Sequence, residues 1–332
     1  MAKENKEKEN LIINKSKPSS DVPKKRFFNV EKRFGYTMHE MYVNRISYFL
    51  LAPFAILFLI FLVAPTVASL YLSFTYYNVL QPPRFIGWSN FSHLLVDDEL
   101  FITSLRNTLY FAIVTGPVGY VLSYFFAWLI HQVPRKIRTV YTTVLFIPSL
   151  TSGVAMSVVW LVIFANDSKG YLNSILFKLG LIYDPIQWLQ NVNYIMPVII
   201  FISLWQSLGV GFLSFVAGFD NVDTELYDAG AVDGITTKFQ RLIYIDIPST
   251  MPQLLFSAIL QVTGSFRVGE ISSSVAGFPS PSDAGLTVVL HLKDYAVTRY
   301  ELGYASAIAI VLFLMIFGLG RVCFKVLGEK ED

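Results

Sequence analysis

The chain has 332 residues, 54% of them hydrophobic and only 15% charged, with a mean hydropathy of +0.51. That balance excludes an ordinary soluble domain, and beside several membrane spans the length leaves no room for a large catalytic domain. The net charge of +2 says little about partners and no nucleic acid is expected among them, while a single cysteine, Cys323, excludes a disulfide framework.

Residues 1–46 are polar and rich in Lys, Glu and Asn, and no cleavable signal pattern opens them. The first twenty or so residues are expected to be disordered. From Phe27 to Tyr48 aromatic and basic residues mix, as in an interfacial helix or an irregular basic anchor. A bilayer core of roughly 30 Å needs about 20 apolar residues in a helix. Stretches of that kind predict an all-α, polytopic membrane protein with six transmembrane helices, at about 48–75, 107–130, 139–165, 194–219, 249–270 and 302–324. The transmembrane domain is thus 47–326, followed by a short tail, 327–332.

Most of the 26 Lys and Arg residues precede the first span or fall at Arg135, Lys136 and Arg138, at Lys238 and Arg241, and at Arg321, Lys325 and Lys330. Basic loops resist translocation, so both termini are expected in the cytoplasm. Pro53, Pro65, Pro117, Pro148, Pro197 and Pro252 lie inside or at the ends of spans and predict kinks. His39, His93, His131 and His291 show no metal-ligand spacing and read as surface or interface residues.

The connection between spans four and five carries the most information. After Asp223-Thr224 an acidic first turn favours a short helix, Gly234 supplies its stop, and Thr236 to Ile247 alternates basic and apolar residues before Pro248. The segment is expected to be helix, turn, helix at the membrane surface. Ala229, Gly230 and Ala231 allow close backbone approach, and Glu225, Asp228 and Asp233 suit basic groups on a partner. An ordinary amphipathic loop is the other reading of this composition.

This segment resembles the E-A-A loop of permeases in binding-protein-dependent ATP-binding-cassette importers, whose pattern is E-A-A-x3-G-x9-I-x-L-P. Asp228-Ala229-Gly230, Gly234 and Ile245-Asp246-Ile247-Pro248 sit on it, with Asp for Glu, Gly for the second Ala, Ile for Leu and one extra residue after Gly234. From about 48 to 326 the chain is similar to the sugar-uptake branch that includes maltose and glycerol-phosphate permeases. Asn107-Thr108-Leu109, Gly170-Tyr171-Leu172-Asn173, Trp188-Leu189 and Leu302-Gly303-Tyr304-Ala305-Ser306-Ala307 carry that similarity. The family's G-G-P loop appears here as Phe278-Pro279-Ser280-Pro281, which puts its contact with a binding protein in doubt.

The resemblance implies a subunit of the bacterial inner membrane, paired with a second homologous permease in a heterodimer. An ATPase dimer would sit beneath and an extracytoplasmic solute-binding protein would deliver the solute, with membrane lipid around the spans. Glu225, Asp228, Ala229, Gly230, Asp233, Gly234 and Pro248 are the expected ATPase-coupling residues. The chain has no G-x-x-x-x-G-K-[ST]. It is therefore expected not to be an enzyme and to hold no cofactor, with ATP and Mg on the partner ATPase.

For the solute path, Ser203, Gln206, Ser207 and Val210 share a helical face by spacing, as do Leu260, Thr263, Gly264 and Arg267, with Glu270 one turn on. The two faces correspond in position to sugar-contacting faces of the maltose permease. Trp205, Phe215 and Phe266 are expected stacking surfaces, and Arg267 in the cavity would admit an anionic sugar. The alternatives are packing between spans for the Ser and Thr residues and, for the whole chain, an ion-coupled secondary transporter.

Overall fold

The computed structural model describes residues 43–151 and 153–328, so nearly all of the predicted N-terminal tail, including the expected 27–47 anchor, lies outside the described residues. The chain divides after Pro65 into two compact units. Within the first, helix α1 (Arg45–Leu72) begins. It is apolar on every side, and Pro65, which has no N–H to donate, follows a wider π-type turn over Leu59–Val63.

In the second unit the end of α1 is followed by a two-stranded hairpin, β1 (Thr75–Tyr76) and β2 (Arg84–Phe85), paired antiparallel as Thr75↔Phe85 and Tyr76↔Arg84. A short helix α2 (Ser89–Ser92) follows, and Asn90 donates to the carbonyls of Ser73 and Thr75, each at 2.9 Å. The central element is α3 (Glu99–His131), 33 residues long. Asp98 caps it by accepting the Phe101 N–H at 2.8 Å.

One side of α3 is built from small residues: Ser104, Thr108, Thr115, Gly116, Gly119, Ser123 and Ala127 are all buried. Lipid supplies no hydrophobic drive between helices, so close approach of small residues does that work. A Cβ on Gly119 would lie 2.3 Å from Gln261 Nε2 and 3.2 Å from Ser207 Cβ. Two later helices, α8 (Val210–Asp220) and α11 (Met251–Ser265), pack along this side.

Around α3 the apolar core falls into distinct clusters. Phe101 packs with Val288, Tyr304 and Ile308; Phe111 with Ile195, Ile199 and Val268; Ala127 and Ile130 with Phe212, Phe215, Phe219 and Leu254. Away from α3, Trp160 and Phe164 pack with Val198, Ile202 and Val275.

The remaining elements are α4 (Arg135–Leu150), α5 (Gly153–Ile163), α6 (Tyr171–Lys178), α7 (Val192–Trp205), α9 (Thr224–Val232), α10 (Lys238–Ser249), α12 (Glu270–Ala276), α13 (Val288–Lys293) and α14 (Leu302–Gly328). Among the described residues, four helical runs are long and apolar enough to cross a membrane, and up to six if each bent pair counts as one span. The all-α, six-span expectation stands, with corrections inside it.

Span three is not one rod: α4, with Pro148 in its last turn, meets Ala155–Ile163 at 95°. Span four, Val192–Asp220, is interrupted over 206–209, where Gly209 leaves helical geometry. Span five is shorter than predicted: α11 has 15 residues, a rise of about 22 Å. It ends before the irregular stretch 266–269, and at its start α10 joins it with an 80° bend.

Candidate functional site

The predicted helix, turn, helix is present as α9 and α10. Asp223 starts α9 by accepting the Glu225 N–H at 3.0 Å. At its other end the Ile235 N–H donates to the Gly230 carbonyl at 2.8 Å and the Gly234 N–H to the Ala231 carbonyl at 3.3 Å, with Gly234 at φ +89°. This paired closure requires a left-handed residue after the cap, which is the reason for glycine there. Thr237 and Gln240 then form a reciprocal capping box for α10.

Gly230 is the one buried residue of α9. A Cβ there would lie 2.8 Å from Ile245 Cδ1 and 3.3 Å from Ile235 Cδ1, so the missing side chain lets the two helices close on each other. Glu225, Asp228, Ala229, Asp233 and Gly234 are all exposed, with Leu226 and the 88% exposed Val232 between them. Pro248 is exposed in the last turn of α10, just before the 80° bend.

Beneath that outer face the Tyr227 hydroxyl donates to Asp246 Oδ1 at 2.5 Å, tying α9 to α10. Burial pushes the Asp246 carboxyl above its ordinary value, against the Tyr227 bond and the charges of His131 and Arg241. A raised folded pKa means native Asp246 holds its proton more tightly than the unfolded chain does. The stability it contributes is complete below the unfolded value of 3.8 and lost as pH rises through the folded one. Melting of the purified chain from acid to neutral pH should therefore lose part of its slope in Asp246→Asn. Tyr227→Phe, which strips a buried carboxylate of its donor, should cost about 1–3 kcal/mol at neutral pH.

A second feature is a cavity of about 430 Å³ where the two interrupted spans meet. Gln206, Ser207 and Gly209 from the break in span four line it, facing Arg267, Val268 and Gly269 from the break after α11. Ser203, Val210 and Gly264 complete most of the predicted set, together with Leu260 and Glu270. A Cβ on Gly264 would meet nothing within 4 Å, and Glu270 packs over Gly153. Ser203 Oγ and Gln206 Nε2 are buried without a hydrogen-bond partner, and both belong to residues of the cavity wall.

Thr263 is not in the wall. The face of α11 turned to the cavity is Leu260, Gln261, Gly264 and Ser265, and residue 263 falls beyond its edge. Thr115 and Gln261 were missed: Gln261 Nε2 donates to the Thr115 carbonyl at 3.1 Å and both line the cavity. Phe215 and Phe266 are 0% and 2% exposed core residues and offer no stacking surface. Trp205 does keep an exposed ring, at 52%, but in a neighbouring aromatic groove with Trp160, Phe201 and Trp188.

Several motif residues prove to be structural hubs. Asn173 is fully buried, donating to the carbonyls of Ala165, Asp167 and Ile186 and accepting from the Ile186 N–H and Trp188 Nε1. A Cβ on Gly303 would lie 2.1 Å from the Thr75 carbonyl, so the helix α14 can meet the hairpin only through glycine.

His291, expected at a surface or interface, is 2% exposed; its Nε2 lies 2.9 Å from Asp98 Oδ2, which also accepts the Tyr304 hydroxyl at 2.7 Å. The altered loop 277–285 and the residues just after it are tied to α3. Asn107 donates to the carbonyls of Asp283 and Leu286, each at 2.9 Å, and Thr108 Oγ1 accepts the Val288 N–H. Gly277, Phe278 and Pro279 are left exposed.

The family model described as "Binding-protein-dependent transport system inner membrane component" matches residues 119–324. The chain is 32% identical over 284 residues to the probable ABC transporter permease protein YesP of Bacillus subtilis, covering 85% of this chain and 90% of that one. It is 32% identical to the arabinooligosaccharides transport system permease protein AraP of the same species, covering 85% and 88%. To the lactose transport system permease protein LacF of Rhizobium radiobacter it is 26% identical, covering 84% and 93%. In fold it matches a chain of a bacterial ABC transporter involved in the import of the acidic polysaccharide alginate. There the TM-score is 0.76 at 20% identity, covering 90% of this chain and all of that one.

Proposed function

Because the chain belongs to the family of binding-protein-dependent transport system inner membrane components, we propose that it is the permease subunit of an ATP-driven carbohydrate importer working by alternating access. The observation that carries the coupling half of this reading is the solvent-exposed face of α9. Its acids and exposed Val232 are held up by a glycine closure on one side and the Gly230 contact on the other. Such a surface fits a cleft of a separate ATPase dimer with ATP and Mg. A second permease would complete the membrane part, and an extracytoplasmic binding protein would deliver solute.

The carbohydrate half rests on relatives named for arabinooligosaccharides and lactose and on the chemistry of the cavity. Its wall offers amide, hydroxyl and backbone donors and acceptors without a deep pocket, which suits a solute that must leave again. Arg267 and Glu270 place one charge of each sign in the wall, so neutral and anionic sugars are both compatible with it. The basic connections support a reading with both termini in the cytoplasm.

Vanadate-sensitive, ATP-dependent uptake of an oligosaccharide in vesicles tests the whole reading. Uptake driven by a sodium or proton gradient without ATP would replace it with an ion-coupled carrier. Gln206→Leu removes a buried, unpartnered amide from the cavity wall and should weaken uptake affinity or rate roughly fivefold, the loss of one hydrogen bond. Unchanged kinetics in this variant would remove Gln206 from the path.

A further inference from the structure

Outside the solute path lies a second polar cavity of about 430 Å³, between the α3–α4 connection, the end of α8, and the α9–α10 pair. Its wall carries His131, Arg135, Arg138, Lys238 and Arg241 against Asp220, Asp228 and Asp246. Two of the three acids are already engaged: Asp220 pairs with Arg138, and Asp246 accepts the Tyr227 hydroxyl. Asp228 is exposed and belongs to the outer face of α9. Among the described residues no ion-pair partner is found for Arg135, Lys238 or Arg241, so the wall keeps a surplus of positive charge.

Two guanidinium N–H groups and one imidazole nitrogen there have no hydrogen-bond partner. Arg138 Nε, Arg241 Nε and His131 Nδ1 are buried without a hydrogen-bond partner, His131 lying 3.7 Å from Asp220 Oδ1, too far for a bond. Buried guanidinium N–H groups need an acceptor, and a water can serve one or two of them. Arg138 already spends its terminal nitrogens on Asp220 and on the His131 and Val133 carbonyls, so its Nε, the Arg241 guanidinium, Arg135 and Lys238 are the donors left, and that set matches the several acceptor oxygens of a phosphate better than a water. The wall is formed where α3 ends at His131 and α8 at Asp220, the ends of two runs long and apolar enough to cross a membrane. Basic pockets between helix ends are where anionic lipid headgroups dock.

We propose that this cavity is a phosphate-binding site occupied by the headgroup phosphodiester of an anionic phospholipid. The bound anion bridges the α3–α4 connection to the inner side of the α9–α10 pair, so lipid composition bears directly on how firmly that pair is seated.

The test uses the full-length chain, purified, exchanged into mixed phosphatidylglycerol and phosphatidylcholine, then stripped and read by native mass spectrometry for retained lipid. Preferential retention of phosphatidylglycerol is expected. Each base removed should cost roughly fivefold, so Arg135→Gln with Arg241→Gln should weaken retention roughly twenty-five-fold. Lys325→Gln, which removes a base outside this cavity, should leave it unchanged. Arg241→Lys, which keeps the charge and loses the fork, should retain more lipid than Arg241→Gln and guards against a misfolded variant. Displacement of the lipid by millimolar inorganic phosphate would support the site and reassign it to the free anion. Equal retention of the two lipids by the unaltered chain, or an undiminished preference in the double variant, would overturn the proposal.

Discussion

Gly230→Val is expected to abolish ATP-driven uptake, by more than tenfold, while the chain still inserts and melts within a few degrees of the unaltered protein. The site has no space for a branched side chain: its first carbon already comes 2.8 Å from Ile245 Cδ1 and 3.3 Å from Ile235 Cδ1. Overpacking of this kind costs typically about 1–3 kcal/mol and is relieved by moving whichever element is least anchored. Here that is α9, nine residues long with one buried side, whereas α10 continues into the membrane helix α11. Displacing α9 misplaces the face proposed to meet the ATPase.

Gly230→Ala should be milder, because the nearest contact is the flexible end of a side chain. Gly234→Val acts differently. No atom lies within 4 Å of its Cβ position, so the damage is backbone strain at φ +89°, about 1–2 kcal/mol, and the turn itself opens. Vesicle uptake and the amount of ATPase that copurifies are the two readings. If the Gly230→Val and Gly234→Val variants both keep their ATPase and transport normally, α9 does not couple the two proteins.

The second large effect is on stability. Asp98→Ala should cost about 3–5 kcal/mol, the usual result of removing one member of a buried polar network. The carboxylate caps α3 and holds the Tyr304 hydroxyl and the His291 ring together, with 8% of Asp98, 6% of Tyr304 and 2% of His291 exposed. Deleting it leaves the start of α3, α13 and the start of α14 each with an unanswered polar group. Asp98→Asn keeps the shape and should cost less.

Acid should have a parallel effect. Burial pushes Asp98 upward, but the Tyr304, Phe101 and His291 hydrogen bonds more than offset it and hold the carboxyl below its ordinary 3.8. Its stabilisation is therefore complete above that value and lost as pH falls through the lower folded pKa. Thermal melting of the unaltered chain and Asp98→Asn should converge in strong acid. An acid-independent gap between them would show that the charge on Asp98 does not matter.

Much of the fold was legible because hydropathy over twenty residues is a strong signal. The runs that became α1, α3 and α14 needed nothing more. The α9–α10 pair was legible for a different reason: Asp223, Gly234 and Pro248 each constrain the backbone locally. Interruptions at 206–209 and 266–269 were hidden, since Leu208, Phe266 and Val268 keep the average apolar while the backbone leaves the helix. Thr263 was misplaced for another reason: the spacing fixes a stripe through Leu260 and Gly264 without saying which of its edges is turned to the cavity, and here that edge is Gln261 and Ser265.

Side-chain identity misled in both directions. Phe215 and Phe266 have rings suited to stacking on sugars, yet Phe215 packs edge-on against Tyr120 and Tyr124. His291 looked like a surface residue because its partner Asp98 lies far away in sequence. Asn107, Asn173, Gly303 and Tyr304 were visible as a family pattern, but only the contacts reveal that they organise loops and helix ends.

The two irregular stretches face each other across one cavity. Non-helical backbone at membrane depth is tolerated only when buried in protein or bathed by water. With α11 rising about 22 Å against a hydrocarbon thickness near 30 Å, the second stretch lies well below the bilayer surface. Phe266 and Val268 meet that condition by burial in protein, while Gln206 and Arg267 line the cavity beside them. If this cavity is the proposed solute path, the unpartnered Ser203 hydroxyl and Gln206 amide in its wall leave an entering sugar bonds to gain in exchange for part of its hydration shell.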